Sequence, residues 1–145
     1  MTTTIATDDN ETAKTIEQEL LHSLQESLPQ SQNTSIILSA RLAGGELVGG
    51  VTGSTSYGWL LIKTLWVKPS RRQKGLGKSL VLAIENKALS TGCHAAWLDT
   101  SNPMARVFYE KLGYEGFAEL ANTELQKPSE HRRWFLKKLL TANQR

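Results

Sequence analysis

The segment Trp59–Val67, WLLIKTLWV, constrains this chain more than any other. It is almost wholly apolar and strand-sized, the pattern of a strand buried on both faces inside a sheet. Pro69 ends it, and a basic, glycine-containing loop follows over Lys68–Gly75. A helix is predicted from Leu76 to Thr91, with Leu76, Leu80, Val81, Ile84 and Ala88 as its buried stripe and Gly92 past its end. A buried strand running through a cationic turn into a helix start is a device for holding anions. The first helical turn has N–H groups without intrahelical partners, and the helix dipole adds positive charge there.

The rest of the chain supplies a sheet around that strand. Ile16, Leu20, Leu24 and Leu28 recur every fourth residue, which predicts a helix over Asn10–Leu28 closed by Pro29. Thr34–Leu42 and Leu47–Thr55 read as strands joined by a turn at Ala43–Glu46, and Ser56–Gly58 turns again into Trp59. Ala95–Asp99 reads as a short strand, and Pro103–Leu112 as a helix with proline in its first turn and Gly113 beyond its end. Tyr114–Leu120 and Arg132–Leu139 complete the sheet, and Thr2–Ala6 is an expected edge strand. The order of elements predicts one α/β (α+β) domain on a mixed sheet over residues 1–145.

Composition narrows the function classes. The chain has 145 residues, 39% of them hydrophobic, and no apolar run approaches the ~20 residues of a spanning helix. The N-terminus, polar and acidic, lacks the pattern of a secretory signal. The lone Cys93 excludes an internal disulfide and fits a reducing cytoplasm. Charge is uneven: residues 1–33 hold six acids and one lysine, whereas no acid occurs from Leu47 to Ile84. Lys63, Lys68, Arg71, Arg72, Lys74 and Lys78 all fall within that stretch. Such concentration favours a local anionic ligand over general nucleic-acid binding or a membrane surface. No spacing of His, Cys and carboxylates resembles a metal site.

Three readings of the basic loop compete. It is a solvated loop, a phosphate loop of the P-loop kind, or a cradle for a pyrophosphate-bearing cofactor. The end of a P-loop is matched by Gly77-Lys78-Ser79, but Arg72 stands where the motif needs its first glycine. A dinucleotide fingerprint fails as well, with Leu80 at its third glycine.

The third reading is supported by a family resemblance. Leu65-Trp66-Val67-Lys68-Pro69 followed by Arg72-x-x-Gly75-x-Gly77, and then Asn102-x-x-Ala105-x-x-x-Tyr109-x-x-x-Gly113-Tyr114, resemble the two signature blocks of the GNAT superfamily of acetyl-CoA-dependent N-acetyltransferases. The resemblance spans roughly Thr34 to Leu139. It implies a central, mostly antiparallel mixed sheet flanked by helices, and acyl transfer from acetyl-CoA to the amine of a small molecule or a protein. Homodimers are common in the superfamily.

The resemblance also implies residue roles. Backbone N–H groups of Gln73, Lys74, Gly75, Leu76, Gly77 and Lys78, with the charge of Arg72, would hold the cofactor's phosphates. The central strand would splay from its neighbour after about Leu65, so that Leu65 faces the thioester carbonyl and Trp66 and Val67 line the pantetheine arm. Asn102 would hold that arm or simply cap a helix. Tyr109 is the expected general acid. The strand glutamate used by many relatives as a base is replaced by Leu61, which leaves Asp99 as first candidate and Glu130 and His131 as looser ones. Tyr57 and Trp66 are candidates for an acceptor pocket. A coenzyme A-binding module without efficient catalysis is the alternative.

Overall fold

The computed structural model describes residues 1–141. These form two compact units, Met1–Ser31 and a larger one from Gln32 onward. The first unit carries helix α1, Asn10–Gln25, whose N-cap Asp9 accepts a hydrogen bond from the Thr12 N–H at 3.0 Å. The helix ends earlier than its leucine repeat predicts. Pro29 has no N–H to give to Gln25, and it disfavours helical geometry at Leu28. Thr2–Ala6, expected as an edge strand, has no regular structure. β-branched residues favour a strand only where a neighbouring edge takes up their backbone groups.

The second unit is a six-stranded mixed sheet with helices, the α/β architecture expected. Its strands are β1 (Thr34–Arg41), β2 (Leu47–Ser56), β3 (Trp59–Val67), β4 (Ala95–Thr100), β5 (Glu115–Ala121) and β6 (Arg132–Leu139). The spatial order is β1-β2-β3-β4-β6-β5, and only β3–β4 is parallel. Helix α2 (Leu76–Ser90) links β3 to β4, and α3 (Pro103–Lys111) links β4 to β5. Tyr57 and Gly58 both have positive φ, 52° and 82°, which gives the β2–β3 hairpin a tight turn whose twist matches that of the strands.

Helix α2 buries Leu80, Val81, Ile84 and Ala88 in the core shared with Ile36, Val51, Leu60 and Ile62. It can lie this close because β2 is glycine-rich where they meet. A Cβ on Gly49 would stand 3.2 Å from side-chain carbons of both Leu76 and Leu80, and one on Gly53 would stand 2.6 Å from the Leu61 carbonyl oxygen.

β3 is interior, as expected, but it is buried only along its first half. Leu60 and Ile62 are in the core, whereas Lys63 and Thr64 are exposed and Trp66 is 41% exposed. The cause lies in the register. β2 pairs Thr52 with Thr64 and Gly53 with Ile62, so Lys63 is an extra residue bulged out of the ladder. A bulge bends its strand and increases local twist. Pairing with β4 is confined to Trp59–Leu61 against Ala95–Trp97. The two strands therefore part after Leu61, four residues earlier than Leu65.

Candidate active site

Where β3 leaves β4, no strand among the described residues pairs with its far edge. The Lys68 N–H bonds the Val48 carbonyl at 2.8 Å, so alternation along an antiparallel ladder turns the Trp66 groups toward β2 as well. The backbone groups of Leu65 and Val67 then face the opened side. The Val67 carbonyl accepts from Arg72 Nε at 2.8 Å, and both residues line the opening. That contact ties the loop to the strand and leaves the Leu65 and Val67 N–H groups as the donors at the edge.

The opening is a cleft of about 660 Å³, within the ~300–1,000 Å³ usual for small-molecule sites. One wall is the β3 edge from Ile62 to Val67, and the opposite wall is Leu98, Asp99 and Thr100 of β4. Arg72, Gln73, Gly75, Gly77 and Lys78 line one end, and Asn102, Met104, Ala105, Phe108 and Tyr109 close the side formed by α3. Lys74 and Leu76 stand outside this lining, and the Leu76 side chain packs against the core.

At the loop end the chain makes a backbone nest. Gln73 and Gly75 both adopt left-handed φ, 63° and 85°, which curls the backbone so that successive N–H groups converge. Gly75 is the N-cap of α2 and offers no side-chain cap, so the first N–H groups of the helix stay available. A Cβ on Gly75 would meet nothing within 4 Å. That glycine is there for its φ, whereas Gly77 lies within the helix and keeps the cleft lining clear of a side chain. Lys68, at the mouth of the loop, is paired with Glu46 and braces the β1–β2 hairpin.

Asn102 fulfils its capping role, accepting from the Met104 N–H at 2.9 Å, and it also lines the cleft. The cap uses Oδ1, which leaves the amide NH2 for a ligand. Tyr109 is 7% exposed and lines the cleft. Among the described residues none hydrogen-bonds its hydroxyl. Burial alone pushes its phenol up to about 12. It is gripped edge-to-face by Phe108 at 5.1 Å and by Tyr114 at 5.6 Å between ring centres.

Asp99 lies on the cleft wall, but its Oδ1 accepts from Arg133 Nε at 2.9 Å. That partner lies 34 residues away on β6, and nothing in the sequence announced it. The carboxylate in turn raises the Arg133 guanidinium. His131 Nε2 lies 3.0 Å from Ser101 Oγ, and neither His131 nor Glu130 lines the cleft. Trp66 does line it, whereas Tyr57 stands exposed in the β2–β3 turn, outside the cleft. Trp59 and Trp97 border a separate shallow hollow with Phe117, Phe135 and Lys137.

The chain is similar to known acetyltransferases in sequence and fold. The chain is 31% identical over 91 residues to acetyltransferase Atu2258 of Agrobacterium fabrum, a stretch covering 63% of this chain and 66% of that relative. It is 37% identical over 71 residues to blasticidin-S acetyltransferase of Streptomyces morookaense, covering 48% and 52% of the two chains. The match thus spans less than two thirds of either relative. The crystal structure of an acetyltransferase from Bacillus cereus superposes with a TM-score of 0.83 at 27% identity, covering 95% of this chain and 98% of that one. The profile of the acetyltransferase (GNAT) family matches residues 3–114. With its splayed β3–β4 pair and its nest at the start of α2, the chain belongs to the GNAT acetyltransferase family.

Proposed function

We propose that this protein transfers the acetyl group of acetyl-CoA to an amine by direct attack on the thioester. One observation carries the proposal. The unpaired β3 edge, the nest at residues 73–78 and the Tyr109 hydroxyl line a single cleft. Their chemistry fits the cofactor. Convergent N–H groups with Arg72 and Lys78 suit a pyrophosphate, and a strip of free backbone donors suits a chain of amides.

The cofactor supplies an activated acyl carbon. The Leu65 N–H, fixed by the bulge and aimed into the cleft, stabilises the negative charge that grows on the thioester oxygen. A single preset donor of this kind is worth ~10²–10³ in rate. Val67 N–H and Asn102 hold the pantetheine arm. As the amine nitrogen bonds to the acyl carbon, the C–S bond breaks and the leaving thiolate draws a hydrogen bond from Tyr109. With the phenol raised to about 12 and a thiol near 8.5, complete transfer of the proton lies roughly 5 kcal/mol uphill. Tyr109 therefore acts chiefly as a hydrogen-bond donor to the thiolate. Asp99, on the cleft wall beside Arg133, takes the amine's proton through water.

The acceptor is an amine of a small molecule or a protein. The relative named for blasticidin S supports a small-molecule amine as the first class to examine. The buried, unpaired Cys93 suits a reducing cytoplasm. A panel of amines with acetyl-CoA, read by release of free thiol, tests the proposal. Turnover of at least one amine is expected. Tight coenzyme A binding with no turnover on any amine would instead favour a coenzyme A-binding module, the alternative that the Asp99–Arg133 pair and the absence of an acid on β3 keep in view.

A further inference from the structure

Behind the cleft lies a polar cluster that the chemistry above does not use. Glu85 of α2 is fully buried, among the apolar residues that seat the helix on the sheet. Burying a carboxylate is costly unless its oxygens are satisfied. Here the Tyr114 hydroxyl donates to Oε2 at 2.5 Å, and Lys138 Nζ donates to Oε1 at 3.0 Å. The three residues come from α2, from the turn after α3, and from β6. The Lys138 ammonium also lies 5.6 Å from the centre of the Tyr114 ring. Its stem crosses the turn at Gly113, where a Cβ would stand 3.4 Å from Lys138 Cε. Tyr114 is thus fixed at its hydroxyl, its ring face and its backbone, the last through its N–H bond to the Tyr109 carbonyl at 3.1 Å.

The Tyr114 ring meets the Tyr109 ring edge-to-face at 74°. From this we infer that Glu85, Tyr114 and Lys138 are positioning residues for the transfer step. They form a buried clamp that sets the direction of the Tyr109 hydroxyl in the cleft. The inference rests on the role proposed for Tyr109. An apolar residue at position 85 would fill the core without this cost. A carboxylate there gives Tyr114 one orientation rather than several, and Tyr114 is the wall against which Tyr109 rests.

A double-mutant cycle separates this role from a merely structural one. Tyr114→Phe keeps the ring and removes the bond to Glu85. With the best amine from the panel, it should lower kcat roughly tenfold, the scale of coupling between touching residues. KM for acetyl-CoA should stay within about twofold, and in a Tyr109→Phe background the same change should cost nothing further. Losses that multiply across the two backgrounds, or that appear in KM, would overturn the inference, because the clamp would then serve the fold or the cofactor helix. A loss in Tyr109→Phe with none in Tyr114→Phe would overturn the inference alone, and no loss in Tyr109→Phe would overturn both it and the role proposed for Tyr109.

If no amine is turned over, ring-flip rates decide. The chain has three tyrosines, so their labelled rings are separable by NMR. Tyr109 should flip faster in Tyr114→Phe and in Glu85→Gln while the backbone amide spectrum of β1–β3 is unchanged. An unaltered flip rate in both variants would overturn the clamp.

Discussion

At the scale of single residues, the cleft depends on a few atoms whose removal has specific effects. Tyr109→Phe should lower turnover ~10²-fold or more while acetyl-CoA binding stays near normal, as loss of one preset hydrogen-bond donor to the developing negative charge predicts. Steady-state rates beside calorimetric affinities check this, and unchanged turnover would remove Tyr109 from the mechanism. Asp99→Asn should also lower turnover, with a dependence on pH that identifies its task. At neutral pH the acceptor amine must lose a proton, and the loss should approach 10²-fold. As pH rises and the free amine is itself deprotonated, the loss should shrink. A deficit equal at every pH would mean that Asp99 serves only its bond to Arg133. Gly77→Val places a side chain into the cleft lining and should abolish coenzyme A binding with little change in folding.

At the scale of elements, the site is made by how α2 and β3 are seated. Gly49→Val would press on Leu76, Leu80 and the Trp66 carbonyl, all close to 3 Å from the added Cβ. Overpacking of this kind costs about 1–3 kcal/mol. Because it lifts the first turn of α2, it should weaken coenzyme A binding together with the midpoint of thermal unfolding; a stable protein with full affinity would show that α2 is not braced by β2.

Much of this level was legible in the sequence. α2 follows from its leucine stripe, its proline-marked loop and Gly92, which has φ of 99° as a helix end requires. β6 lies over the residues expected, and Tyr109 reaches the cleft because it shares a helix with the Asn102 cap. What escaped was non-local. The point at which β3 and β4 part is set by a bulge at Lys63, and that bulge exists only in the register with β2. The partners Arg133 for Asp99 and Lys138 for Glu85 lie 34 and 53 residues away, and no periodicity relates them. Thr2–Ala6 has strand propensity but no neighbouring edge among the described residues to receive its backbone bonds, and α1 stops at Gln25 because Pro29 has no N–H to give to it.

At the scale of the whole molecule, the buried tyrosines link the fold to pH. In an unfolded chain phenols ionise near 10. Burial holds Tyr109 protonated up to about 12, and burial with the Glu85 carboxylate raises Tyr114 further. Above about pH 10 the folded protein therefore binds more protons than the unfolded chain, so stability falls as pH rises. The contribution from Tyr109 is complete below about 10 and is lost on passing through about 12. The urea midpoint should fall across that window, and less steeply in Tyr109→Phe; a flat midpoint would mean that these phenols ionise freely in the fold.

At this scale, too, the cleft between β3 and β4 is proposed to take a pyrophosphate-bearing thioester. Calorimetric titration of the protein with coenzyme A tests it most directly. Saturable one-to-one binding, lost in Gly77→Val and retained in Tyr109→Phe, is the predicted result. Absence of binding at about millimolar coenzyme A, or binding indifferent to Gly77→Val, would contradict it.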